Sequence, residues 1–228
     1  MHSSISCARI TGDFHLQNQG DITLPATFLT RYVDRANSLT AANAALGILA
    51  ISAALGGWVS LAATLIVIAA SLDHIDGWIA RRYCGNDREA RQFGGHLDTL
   101  ADVVDFSLAP VILLLAVSGL TWITISAAVF FVLTGIGRLA HFEIVGAEGG
   151  RRYIGLPTTY AAYLLCFPVV LTAFDFLPAE FLPAFYVVAG ALQIANATII
   201  KPPYFITVLF MPAAYLTALV VAISLKQV

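Results

Sequence analysis

Two short stretches carry most of the chemistry this chain can do. In the first, Asp73, Asp76, Gly77, Ala80 and Arg81 stand at i, i+3, i+4, i+7 and i+8. In the second, Gly94, Asp98, Asp102 and Asp105 stand at i, i+4, i+8 and i+11. Either spacing places its members on one face of an α-helix. The polar loop between them, around residues 85–92, is short, so the two faces meet as an antiparallel pair. Carboxylates gathered in this way repel one another, and each is costly near hydrocarbon, by a few kcal/mol at mid-membrane. Bound divalent cations relieve both effects, because hard ions such as Mg2+ and Ca2+ favour carboxylate oxygens. A pair of cations would neutralise Asp73, Asp76, Asp98 and Asp102 and leave a surface suited to phosphate. Two-metal sites clamp the attacking and leaving oxygens of a displacement at phosphorus. Gly77 and Ala80 are small enough to let a nucleotide lie against the helix, and Arg81 offers a planar cationic fork to a phosphate. The blander reading, acids at the membrane surface paired with Arg81, Arg82, Arg88 and Arg91, suits Asp87 and Glu89 in the loop. It does not suit the four aspartates that line helix faces inside apolar sequence.

The elements that must position these residues follow from composition. The chain has 228 residues, of which 59% are hydrophobic and only 11% charged, and its mean hydropathy is +0.82. A soluble domain averages about 25% charged residues. Several apolar runs approach the roughly 20 residues that a helix needs to cross a bilayer. Spanning segments are expected near 38–56, 58–83, 94–118, 120–142, 156–174, 182–199 and 204–225, with turn residues at most of the breaks. The fold class is therefore an all-α integral membrane protein with six transmembrane helices, or seven if 204–225 also spans. Residues 1–25 form a polar N-terminal tail without the continuous apolar stretch of a signal peptide. Residues 26–228 form the transmembrane catalytic domain, and 27–37 read equally as an interfacial amphipathic helix or a polar lead-in. The net charge of −2 lends no support to nucleic-acid binding, and three cysteines without paired spacing make a disulfide framework improbable. Arg31, Arg35, Arg81, Arg82, Arg88, Arg91, Arg138, Arg151, Arg152 and Lys201 fall at the N-terminal flank and around the even-numbered gaps. The positive-inside bias makes that side cytoplasmic. Lys226 is discordant if the last segment spans.

Further polar residues admit two readings each. Arg138 near the end of the fourth segment, with Arg151 and Arg152 ahead of Gly155, Leu156 and Pro157, forms a possible acceptor or phosphate pocket. A carboxylate could pair there through a bidentate contact; for Arg151 and Arg152 plain anchoring is the equal alternative. Asp105 extends the aspartate face by nearly a turn, and either meets an acceptor amine or hydroxyl or hydrogen-bonds within the bundle. His74 and His96 flank the motif off its face, in supporting or interfacial positions, and His141 reads as interfacial. Trp58, Trp78 and Trp122 fall near helix ends, as in aromatic belts. Pro110 is expected to kink its helix, and Gln193 and Asn196 receive no role.

The run Asp73-x2-Asp76-Gly77-x2-Ala80-Arg81, followed by Gly94-x3-Asp98-x3-Asp102, closely resembles the signature of the CDP-alcohol phosphotransferases. The stretches "NSLTAANAALGILAI" (37–51), "LDTLADVVDFSLAP" (97–110), "GRLAHFE" (137–143) and "YIGLPTTYAA" (153–162) are similar to their equivalents in the phosphatidylserine synthase branch. The resemblance covers roughly residues 35–175. Three features depart from it: a longer loop at 82–93, Asp105 and Ser107 where that branch usually has Ser and Gly, and Thr158 and Thr159 for a Ser/Pro pair. The resemblance implies a six-helix CDP-alcohol phosphotransferase-like bundle, usually homodimeric, that uses two Mg2+ or Mn2+ ions. It implies an active site facing the cytoplasm from a prokaryotic inner membrane. By position, Asp73, Asp76, Asp98 and Asp102 become metal ligands, Asp102 also the general base, and Gly77, Ala80 and Arg81 hold the cytidine diphosphate part of the donor. The implied reaction moves a phosphatidyl group from CDP-diacylglycerol to a small polar acceptor, with serine favoured, and releases CMP.

Other functions compete with this one. The same chemistry with glycerol phosphate, an inositol phosphate or an amino alcohol as acceptor is the nearest rival. A divalent-cation transporter is a different class, but the acids crowd toward one membrane side, and Arg81 in a cation path would be counterproductive.

Overall fold

The computed structural model describes residues 35–83, 88–145, 152–200 and 206–226; for 35–36, 76–83, 88–91, 145, 152–153, 200 and 206 it describes the backbone only. Apolar helices make up nearly all of it. Helix α1 (Arg35–Leu55) turns through Gly56 and Gly57 into α2 (Val59–Tyr83). Helix α3 (Arg88–Asp102) passes through a π-helical turn (Val103–Leu108) into α4 (Ala109–Ser118), and α5 (Trp122–Val145) follows. Strand β1 (Arg152–Ile154) leads to α6 (Thr158–Ala173), then α7 (Leu182–Ile194) and strand β2 (Thr198–Ile200). A second π-helical turn (Ile206–Phe210) opens α8 (Met211–Lys226). The polar tail and most of the 27–37 segment lie outside the described residues, and 35–37 begin α1.

Four segments are long and apolar enough to cross a membrane: Asn37–Leu55, Gln92–Ser118, Trp122–Ile144 and Thr207–Lys226. Val59–Ile75, Thr158–Ala173 and Ala179–Ile194 are shorter apolar helices. These correspond in order to the seven segments expected from sequence. Large apolar side chains such as Ile48, Leu49, Leu133 and Val188 face outward, and Trp58 and Trp122 are exposed at helix starts. With no water in a bilayer core to solvate backbone, helices of this length satisfy their own polar groups. The protein is an integral membrane protein.

Small residues let the inner helices approach closely. Ala50, Ala53 and Ala54 of α1, Ala62, Ala63, Ala69 and Ala70 of α2, and Ala161 and Ala162 of α6 are all buried in one core. Helices in lipid associate by such packing and by interhelical hydrogen bonds. Three tyrosines supply the latter. Tyr163 meets Ser71 at 2.6 Å, Tyr215 meets Thr64 at 3.2 Å, and Tyr160 meets Thr207 at 3.2 Å. They tie α6 and α8 to α2, and α6 to the turn before α8.

Two local features position the site. Pro110 cannot donate a helical N–H, and the widened turn at Val103–Leu108 lies directly ahead of it. Tyr186 on α7 donates to the Pro110 carbonyl at 2.7 Å. The only strands among the described residues pair antiparallel, Arg152 with Ile200 and Ile154 with Thr198. This ribbon, with Gly155 N–H donating to Ala197 O and Leu156 N–H to Leu192 O, sets the start of α6 against the end of α7. Gly155 adopts φ +75 there, and an added Cβ would collide with the Gln193 carbonyl. At the other end of α6, Lys226 Nζ lies 2.8 Å from Asp175 Oδ2. The cation that disagrees with the charge bias thus ends α8 with an acidic partner beside it.

Candidate active site

Asp73 on α2 and Asp98 and Asp102 on α3 come together. Each offers one carboxylate oxygen, and these oxygens lie within 4.8 Å of one another. All three side chains are half-buried. Such an oxygen-only set on rigid helices fits a hard divalent cation. Around it, Thr159 Oγ1 donates to Asp73 Oδ2 at 3.3 Å from the first turn of α6. His74 Nδ1 is 2.7 Å from the Ala70 carbonyl and 3.7 Å from Asp73 Oδ2, so this histidine stands beside the cluster as a supporting group. Thr99, the neighbour of Asp98, donates to Glu143 at the end of α5, and His96 Nδ1 lies 3.9 Å from the same carboxylate.

Asp76, Gly77, Ala80 and Arg81 continue α2 beyond Asp73, with helical backbone and side chains outside the description. Asp105 lies beyond the α-helical part of α3. The α-helical spacing ends at Asp102, and the π-helical turn carries Asp105 inward, where it is 0% exposed. Its carboxylate packs on α1 at Gly47: a Cβ there would overlap Oδ1 and lie 2.9 Å from Cγ. The group of three clustered ligands does not include it.

Contacts at both ends fix how the neighbouring helices run past α3. Gly94 abuts Asn37 Oδ1 and Asp105 abuts Gly47, so α1 runs parallel to α3 in one register. Glu143 meets Thr99 and Gly135 abuts Ser107, so α5 runs antiparallel to it. Arg138, half-buried on α5, is thereby level with the turn between Asp102 and Asp105. Arg152 opens β1, with its side chain outside the description, and Arg151 lies outside the described residues. Sequence spacing missed the α1 wall of the site. Asn37, Thr40 and Asn43 are buried polar residues on an otherwise apolar helix, and their near-helical spacing was the signal that could have found them.

Comparison with known proteins settles which family carries this arrangement. The family model for CDP-alcohol phosphatidyltransferase matches residues 34–225. The chain belongs to this family. The match bears out the resemblance read from the aspartate signature, and it extends through α8. Among curated proteins, an archaetidylserine synthase of Methanothermobacter thermautotrophicus is 33% identical over 135 residues, 59% of this chain and 57% of that protein. A CDP-diacylglycerol–serine O-phosphatidyltransferase of Helicobacter pylori is 32% identical over 167 residues, 70% of this chain and 69% of that protein. The protein of the same name from Saccharomyces cerevisiae is 32% identical over 117 residues, 47% of this chain and 41% of that protein. The chain thus spans little more than half of the archaeal relative's length and about two thirds of the Helicobacter one.

Proposed function

We propose that this protein makes a membrane phospholipid by transferring a phosphatidyl group from CDP-diacylglycerol to the hydroxyl of L-serine, with release of CMP. The observation that carries the reading is the convergence of Asp73, Asp98 and Asp102 at one point between two helices. Asp76, one turn beyond Asp73, completes the ligand set. Two divalent cations, Mg2+ or Mn2+, held by Asp73, Asp76, Asp98 and Asp102 would neutralise the diphosphate of the donor.

The chain's own residues supply the remaining steps. Gly77 and Ala80 leave space for the cytidine nucleotide against α2, and Arg81 pairs with its phosphate. The serine hydroxyl oxygen attacks the lipid-bearing phosphorus, the bond from that phosphorus to the CMP oxygen breaks, and Asp102 takes the hydroxyl proton. Proton transfer of this kind is typically worth about 10²–10⁴-fold in rate. Arg138, level with the Asp102–Asp105 turn, supplies positive charge for the serine carboxylate, with Arg151 and Arg152 as further candidate cations for it. Asp105 contributes negative charge deeper along the same helix. The outward apolar faces let the acyl chains stay in lipid throughout. The positive-inside bias supports a cytoplasmic site in a prokaryotic inner membrane, and the working unit is a homodimer.

The test is an acceptor screen. Purified protein with CDP-diacylglycerol and Mn2+ or Mg2+ is offered serine, glycerol phosphate, inositol phosphate or ethanolamine, and CMP is measured. Serine-dependent CMP release is expected; strong release with glycerol phosphate and none with serine would overturn the choice of acceptor.

A further inference from the structure

We propose that Asn43 on α1 recognises the acceptor, its amide oxygen taking a hydrogen bond from a donor group of a small polar molecule, an ammonium ahead of a hydroxyl. The inference rests on reading the aspartate cluster as the place where the acceptor hydroxyl attacks. Asn43 precedes Gly47 by one helical turn, and Ala50 and Ala54 continue the same buried stripe. Gly47 faces Asp105 and Asn37 faces Gly94, and the parallel register of α1 and α3 therefore sets Asn43 level with Leu100 and Ala101, inside the turn from Asp98 to Asp102. Counted back through the Gly56 turn at about 1.5 Å per residue, Asn43 is also level with Ser71, about half a turn deeper in the membrane than Asp73. That level is the level of the cluster, on a helix that packs against both helices that carry the aspartates.

Asn43 is 1% exposed, and its Oδ1 has no hydrogen-bond partner among the described residues. A buried amide oxygen without a partner is costly in an apolar setting, and alanine or leucine at this position would pack the same stripe without that cost. A ligand that donates to Oδ1 removes the deficit. Of the acceptors considered, those with an ammonium two bonds from the hydroxyl-bearing carbon or closer bring a charged donor, and hydrogen bonds to charged groups are the stronger ones. If the amide is turned the other way, its NH2 faces the site instead, and a carboxylate becomes the matching group. Acceptors lacking one group or the other separate these cases.

The experiment compares wild type with Asn43→Leu, a near-isostere without polar atoms, and Asn43→Ser, which keeps a smaller oxygen. CMP release is measured with serine, with 3-hydroxypropionate (no ammonium) and with ethanolamine (no carboxylate). With Asn43→Leu, KM for serine and ethanolamine should rise about tenfold or more, the size of one lost hydrogen bond to a charged group. The constant for 3-hydroxypropionate, the KM for CDP-diacylglycerol and the Mn2+ concentration for half activity should stay within about twofold, and Asn43→Ser should recover part of the loss. An unchanged serine KM, or equal losses for serine and CDP-diacylglycerol, would overturn the proposal. So would loss of the folded protein in both variants, which would assign Asn43 to packing. Loss confined to serine and 3-hydroxypropionate would overturn the ammonium assignment. A wild-type protein that releases no CMP with any acceptor would instead remove the transferase reading beneath it.

Discussion

Replacing Gly47 with alanine should loosen the joint between α1 and α3. The added Cβ would overlap Asp105 Oδ1 and stand 2.9 Å from Cγ and 3.1 Å from Cα of Asp105. Carbon atoms in contact are normally about 3.5–4.0 Å apart. Turning the carboxylate relieves only the oxygen, because the Asp105 backbone is itself too near, so the helices must part by roughly half an ångström or more. Overpacking of this kind costs about 1–3 kcal/mol. Alanine returns about 0.8–1.0 kcal/mol through its better helix propensity, and because the clash reaches backbone the overpacking sits at the upper end, about 2–3 kcal/mol, which leaves a net loss of roughly 1–2 kcal/mol. Thermal and denaturant unfolding in detergent would measure it, with a fall in Tm of about 2–8 °C at 2–4 °C per kcal/mol. In an Asp105→Ala background the Cγ and oxygen clashes are gone and only the approach to the Cα at 3.1 Å remains, so the alanine at 47 should cost less. A coupling energy of at least about 1 kcal/mol between the two substitutions is expected. Wild-type stability of Gly47→Ala, or identical effects in both backgrounds, would refute the close approach of these helices.

Three other perturbations test other parts of the structure. Asp102→Asn should lower CMP release by about 10²-fold or more while the protein remains folded, since the amide cannot take the acceptor proton; normal turnover would remove Asp102 as the base. Thr159→Val deletes the hydroxyl that donates to Asp73; loss of such a supporting bond typically costs about 10–100-fold in metal affinity, so activity should need correspondingly more Mn2+ and recover at saturation. Lys226→Ala removes an exposed ion pair with Asp175 and should change stability by at most about 1 kcal/mol. A cysteine at 226 should react with an impermeant thiol reagent from the membrane side opposite a cysteine at 143, and labelling of both from one side would contradict a spanning α8.

Much of this could be read in the sequence because the decisive patterns are local. Asp73 is separated from the pair Asp98 and Asp102 by a short loop, so helical period and one tight connection suffice to bring them together. The spans were legible because bilayer thickness fixes how long an apolar run must be, and even the doubtful last segment ends at Lys226, close to the expected 225. The π-helical turn that carries Asp105 was not legible because Pro110, five residues on, widens the preceding turn, and a fixed 3.6-residue period does not include that effect. Asn43 was passed over because its importance depends on the register between α1 and α3, which is set by Gly47 and Gly94 and not by any local spacing. The ribbon of Arg152–Ile154 with Thr198–Ile200 pairs residues far apart in the chain, and each strand is too short to announce itself.

The most direct measurement is Mn2+ binding followed by electron paramagnetic resonance, on purified wild-type protein and on Asp98→Asn. Saturable binding at the wild-type site, greatly weakened by the single change at Asp98, is the expected result. Equal Mn2+ occupancy and affinity in the two proteins would contradict a metal centre built from the aspartates of α2 and α3.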